Sequence, residues 1–177
     1  MSRIVAAGVA LALSAITAAA PAKADQDEAF FQAVTGRWVG PGEIVAGKYE
    51  GTKFICDFSG NQPAGETGME LKGSCRVGIF GQEMSARVVR AGNSYKGAFL
   101  DGAEGKGLDI VSGNVDSDRI IVGLDRNQLT GAMIARLDGN DTMNITVSVH
   151  VADQLVPVIG MSLKRTDGAL RQTALSQ

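Results

Sequence analysis

Short runs of β-favouring residues, separated by glycine-containing turns, recur along most of the chain and restrict it to an all-β fold. The 177 residues include 23 glycines, and runs rich in Val, Ile, Thr and Phe lie between them from Gly36 onward. A turn signal roughly every 8–12 residues is typical of a sandwich or a barrel, and links this short favour hairpins. The pattern predicts an all-β, antiparallel up-and-down sandwich or barrel of about ten strands, at 37–46, 50–59, 67–77, 82–91, 94–101, 107–114, 118–125, 129–138, 142–152 and 156–165.

The segment 142–152 has the clearest strand pattern. Apolar and polar side chains alternate along it, and successive side chains of a strand point to opposite faces. We expect the apolar face to pack in a core and the polar face to meet either water or a polar cavity. The apolar face carries Met143, Ile145, Val147, Val149 and Val151, and the polar face carries Asn144, Thr146, Ser148 and His150.

The first residues have the order of a secretory signal peptide. Arg3 precedes an apolar run at 4–20, and Ala22-Lys23-Ala24 matches an A-x-A cleavage site. The run is too short for a retained membrane helix. We therefore expect a periplasmic protein without a membrane span in its mature form. The expected division is a signal peptide at 1–24, a β-barrel domain at 25–166 and a flexible tail at 167–177.

The charge of the mature chain argues against nucleic acid as a partner. Arg3 and Lys23 lie in the leader, so 15 basic and 19 acidic residues remain, a net charge of −4. Nucleic-acid binding usually needs a basic patch, and no basic cluster occurs in the sequence.

Export to an oxidising compartment determines the expected redox state of the two cysteines. In an oxidising compartment Cys56 and Cys75 are expected to form a disulfide. Strand parity agrees, because pairing these two across a hairpin places Phe58 opposite Gly73 and the turn in the segment 61–66. Two buried free thiols remain the alternative.

A short helix is expected before the first strand. Asp25 is predicted to cap it, with Glu28 as the capping-box partner. Phe30, Phe31 and Val34 give the helix an apolar side, which suits a plug at one end of a barrel.

Two segments, at the two ends of the predicted barrel, carry a family resemblance. The run Gly36-x-Trp38-x-Gly40-x-Gly42 holds the single tryptophan and is similar to the start of nitrobindin-type barrels. Its G-x-W core is shared with lipocalins and other calycin-type barrels, so the resemblance implies a single antiparallel up-and-down β-barrel of about ten strands. The segment 157–165 resembles the final nitrobindin strand, which ends in Leu-Lys-Arg.

The resemblance implies a contact that closes the barrel and also argues against haem. In such barrels the first-strand tryptophan packs beneath a basic side chain of the last strand, here Trp38 with Arg165 or Lys164. Nitrobindins hold haem through a histidine directly after the proline of that strand. Val158 stands at this position, and valine cannot ligate iron. We therefore expect no cofactor.

The sequence offers no convincing catalytic or metal site. His150 is the only histidine, and Ser148 lies two residues away on the same strand face. A Ser–His–acid triad needs its members in direct hydrogen-bonding contact, so we expect a non-enzymatic protein. The acidic turns 101–104 and 138–141 lack the ligand spacing of an EF-hand calcium loop.

Two functions remain open. The first is a binder of a small, largely apolar ligand inside the barrel, where flexible thioethers would form an adaptable wall. The second is a cell-envelope or protease-inhibitor protein that meets a protein partner through its outer surface and has a filled interior. An interior cavity above about 300 Å³ would favour the first. The candidate ligand-binding residues are Met69, Met84, Met133, Met143 and Met161.

Overall fold

The computed structural model describes residues 23–100, 108–127 and 129–166, which form one helix and a closed barrel of ten strands. Each strand pairs antiparallel with its neighbours in sequence, and the first pairs with the last. The predicted all-β, up-and-down barrel is therefore confirmed. The elements are α1 (Lys23–Val34), β1 (Gly36–Ile44), β2 (Lys53–Asn61), β3 (Gly68–Val77), β4 (Phe80–Ala91), β5 (Ser94–Leu100), β6 (Leu108–Asp116), β7 (Arg119–Arg126), β8 (Leu129–Asp138), β9 (Thr142–Val151) and β10 (Gln154–Arg165).

The strand boundaries differ from the predicted ones by a few residues. One such extension lies between β3 and β4, where the chain turns through Gly78 and Ile79 alone. Gly78 has a φ of 59°, a left-handed conformation that glycine adopts without strain. This tight turn lets Phe80 pair with Val77, so β4 begins two residues before the predicted start at 82.

The predicted signal peptide at 1–24 and the predicted tail at 167–177 lie outside the described residues, except for Lys23 and Ala24. These two residues open α1. The predicted cap was therefore wrong, because Asp25 already lies inside the first helical turn. A carboxylate there still favours the helix through the macrodipole. Glu28 accepts a hydrogen bond from Gln62 at 2.7 Å.

Helix α1 covers one end of the barrel. Phe30, Phe31 and Val34 are fully buried and belong to the same apolar core as the inward side chains of the strands. We call this the closed end and the opposite end, at which β1, β3, β5, β7 and β9 finish, the open end. In the described part of the chain, no helix has the length and apolarity needed to cross a membrane.

The expected disulfide is confirmed. Cys56 on β2 and Cys75 on β3 are bonded and lie opposite each other in the hairpin. Phe58 faces Gly73 in the same register, as strand parity predicted. Cys56 is fully buried, so the bond belongs to the interior of the barrel.

Candidate functional site

The interior of the barrel holds an apolar cavity of about 480 Å³. All ten strands contribute to its wall, and the walls continue from the closed end, at Trp38 and Leu163, to the open end, at Val77 and Phe80. Pockets that bind small molecules usually fall between about 300 and 1,000 Å³ and are mostly apolar. The cavity therefore has the size and chemistry of a ligand site.

The glycines of β1 let neighbouring residues pack closely against the inward face of the strand. Gly40 and Gly42 follow Trp38 on the inward face of the strand. A Cβ on Gly40 would overlap the carbonyl oxygen of Ser162, and a Cβ on Gly42 would overlap the Phe54 ring and lie 2.7 Å from the Met161 side chain. The run Gly36-x-Trp38-x-Gly40-x-Gly42 thus lets β10 and the Phe54 ring lie close against the inward face of β1.

The five candidate methionines converge on the cavity. Each comes from a strand position that faces inward, so strand parity alone brings them together. Their unbranched thioether side chains can fill spaces of different shape. The wall includes Met69 and Met84 from neighbouring strands of one side, and Met133, Met143 and Met161 from the other.

Polar side chains on the cavity wall are concentrated near the open end. Arg76 is the next-to-last residue of β3, and Gln82 lies near the start of β4. The indole nitrogen of Trp38, at the other end, already donates to the backbone oxygen of Val34 at 2.9 Å. A bound molecule would therefore find new hydrogen-bonding groups at the mouth and an apolar wall further in.

The Arg165 side chain meets three elements at the closed end. Its guanidinium carbon lies 4.2 Å from the centre of the Trp38 ring. Its nitrogens donate to the backbone oxygens of Thr35 and Ala33, and at 2.9 Å to that of Asn140. The last carbonyls of a helix lack partners within the helix, so Arg165 and Trp38 together satisfy the end of α1.

A buried ion pair also fixes α1, and sequence analysis missed it. Asp27 is 3% exposed and pairs with Arg90 of β4, while the Tyr95 hydroxyl donates to Asp27 at 2.6 Å. Burial, followed by this hydrogen bond, raises the pKa of Tyr95 to about 12. Arg90 continues the inward-facing series Met84, Ala86 and Val88 on β4. A charged residue at an inward-facing position could have indicated a buried partner of opposite charge.

His150 lies outside the cavity. It is exposed, and its Nδ1 is 3.2 Å from the hydroxyl of Thr130. The inward face of β9 instead presents Met143, Ile145 and Val147. The polar face of this strand points outward, so the idea of a polar cavity wall was wrong.

The positions considered for metals and haem provide no ligand cluster. Val158 is the residue skipped in the pairing of β9 with β10, and it is not part of the cavity wall. Among the described residues, no three His, Cys, Asp or Glu side chains are grouped to hold a metal ion. The acidic segment 101–104 lies outside the described residues, and 138–141 spans the turn between β8 and β9.

Comparison with known proteins supports the fold alone. No family model matches the chain, and no curated protein matches it. The crystal structure of Rv2717c from M. tuberculosis is similar, with a TM-score of 0.60 and 13% sequence identity, over 79% of this chain and 97% of that one. The resemblance to nitrobindin-type and lipocalin-like barrels stays a prediction.

Proposed function

We propose that this chain is an exported, periplasmic, non-enzymatic protein that binds a small, largely apolar molecule inside its barrel. The observation that carries the proposal is the 480 Å³ cavity with apolar walls and one plugged end. The disulfide supports export, because such bonds persist in oxidising compartments.

The arrangement of the wall favours one orientation of the ligand. The apolar part of the molecule would lie against the methionines and reach toward Trp38. A polar group, if the ligand has one, would stay at the mouth beside Arg76 and Gln82, since burying it deeper would leave it without a hydrogen-bonding partner.

The cavity also weighs against the second function. A protein that acts only through its outer surface was expected to have a filled interior, with less than about 300 Å³ of open space. The observed volume is larger, so ligand binding is the function that the geometry supports best.

The test uses the uncharged fluorophore N-phenyl-1-naphthylamine and a variant that fills the cavity. Ala86 lines the cavity, whereas Ala98, on the next strand, has outward parity and does not. We expect the wild-type protein to bind the probe with enhanced fluorescence. Ala86→Phe should weaken binding by about tenfold or more because the added ring occupies the site, and Ala98→Phe should leave binding unchanged.

Cooperative urea unfolding of each variant verifies that it folds. A second variant, Met133→Trp, blocks the opposite wall and should act like Ala86→Phe. No probe binding by the wild-type protein, or equal binding by all the variants, would overturn the proposal. Native mass spectrometry of protein purified from the periplasm then looks for a retained small molecule.

A further inference from the structure

The two ends of the barrel differ sharply in the side chains that they expose. Thirteen large apolar residues are exposed in the described part of the chain. Nine of them lie at the open end, in the turns or within one residue of a strand end. We call these nine the apolar rim: Val45, Tyr49, Val77, Ile79, Phe80, Leu100, Leu129, Val151 and Leu155.

Among the described residues, the closed end has no counterpart to this rim. Its turns at 62–67, 92–93, 117–118 and 139–141 contain no large apolar residue. The exposed residues of α1 are likewise small or polar. Single exposed apolar side chains are normal in soluble proteins, but a contiguous group marks an interaction surface.

The rim extends around most of the cavity mouth and is not confined to one hairpin. The β9–β10 hairpin, the β1–β2 loop and the β3–β4 turn follow one another around the barrel, and Leu129 of β8 and Leu100 of β5 extend the rim on either side. Ile79, at the tip of the β3–β4 turn, is 93% exposed, and Phe80 beside it is 78% exposed. A flat, fluid apolar phase can contact all of these tips at once.

The polar groups at this end suit a bilayer without net charge. Near the strand ends, four basic residues (Lys48, Lys53, Arg76, Arg126) and five acidic ones (Glu43, Glu50, Asp109, Asp125, Asp153) are described, so their charges nearly cancel. The Lys48 ammonium lies 5.3 Å from the Tyr49 ring. Tyrosine and lysine side chains each have an apolar part, which can enter a membrane, and a polar end, which can stay among the lipid headgroups.

We propose that the apolar rim docks the open end of the barrel on the surface of a zwitterionic lipid bilayer. The cavity mouth then faces the lipid, so an apolar molecule passes between bilayer and barrel without crossing water. Docking needs only the rim, and it stands whether or not the cavity binds a ligand.

The test is co-flotation with large unilamellar vesicles of phosphatidylcholine. We expect the wild-type protein to float with the vesicles, and the partition coefficient to fall about tenfold in Ile79→Ser, because an apolar side chain no longer leaves water. Ile134→Ser removes an isoleucine that is 38% exposed on the barrel side, and it should bind like the wild type. Binding should change little between about 0.05 and 0.5 M NaCl, since charge attraction does not drive it.

A second measurement follows the rim directly. Trp38 is fully buried at the closed end and serves as a constant background. The emission of Ile79→Trp should shift to the blue when vesicles are added, whereas that of Ile134→Trp should not. Ile79 does not line the cavity, so probe binding by Ile79→Ser should remain at the wild-type level and separate this test from that of the ligand site.

Three results would overturn the docking proposal. The first is no flotation of the wild-type protein. The second is equal flotation of Ile79→Ser and the wild type. The third is a dimer that Ile79→Ser dissociates, without vesicle binding, which would assign the rim to a second copy of this chain.

Discussion

Arg165 makes a contact with an aromatic ring and hydrogen bonds to three backbone oxygens, and a positive charge alone would not provide all of these. Its planar guanidinium stacks on Trp38 while its nitrogens reach the backbone oxygens of Ala33, Thr35 and Asn140. A lysine offers a point charge without this fork. The side chain therefore joins α1, β1 and the β8–β9 turn.

We expect Arg165→Met to lower the free energy of unfolding by about 2 kcal/mol, from the lost cation–π contact and charged hydrogen bonds. Arg165→Lys should restore only part of it. Lys164→Met is the matched control, because the Lys164 side chain is 64% exposed and its change should cost below about 0.5 kcal/mol. Urea denaturation followed by Trp38 fluorescence measures all three, and equal values for Met at 164 and at 165 would contradict this role.

At the scale of the element, the packing of α1 on the barrel is stabilised by the protonated hydroxyl of Tyr95, which donates a hydrogen bond to Asp27. The pKa of Tyr95 is raised from 10.0 to about 12 by burial and by the hydrogen bond to Asp27. The folded state thus keeps this proton when the unfolded chain loses it, so the stabilisation is complete below pH 10 and is lost between about pH 10 and pH 12. Only above about pH 12 would a phenolate face the Asp27 carboxylate in the folded state.

Between about pH 9 and pH 11 the wild-type protein should therefore lose roughly 1.4 kcal/mol more stability than Tyr95→Phe, which has no proton to release. Urea unfolding of both proteins across this range measures the difference. Tyr49 is 62% exposed, and Tyr49→Phe should keep the wild-type pH dependence. Parallel curves for the wild type and Tyr95→Phe would refute the argument.

The strands of this fold could be predicted from the sequence. The contact of Asp27 with Arg90 and Tyr95, and the presence of an open cavity inside the barrel, could not. The alternation in β9 is a local pattern, as is the parity that puts Cys56 opposite Cys75. The partner of Arg90 depends on where α1 packs, which no local pattern encodes. Whether the interior is filled depends on the summed volume of inward side chains from ten strands and on the curvature that glycines such as Gly42 permit.

At the scale of the whole molecule, the closed barrel should unfold as one unit. Removing the β2–β3 disulfide should therefore change the free energy of unfolding of the whole protein. Since β1 pairs with β10, each described strand has a neighbour on both sides, and the sheet has no end strand from which it can open gradually. We therefore expect unfolding as one cooperative unit, as in most small domains. Cys56 and Cys75 are 19 residues apart, and a link of this length reduces the entropy of the unfolded chain by an amount worth about 3 kcal/mol.

Cys56→Ala combined with Cys75→Ala should thus lower the free energy of unfolding by about 3 kcal/mol, and reduction of the wild-type protein should lower it by a similar amount, since both release the same constraint. Urea unfolding of the oxidised, reduced and double-variant proteins provides the comparison, and adding reductant to the double variant controls for effects of the reagent itself. A reduced protein as stable as the oxidised one would show that the closed sheet, without the covalent link, already sets the stability.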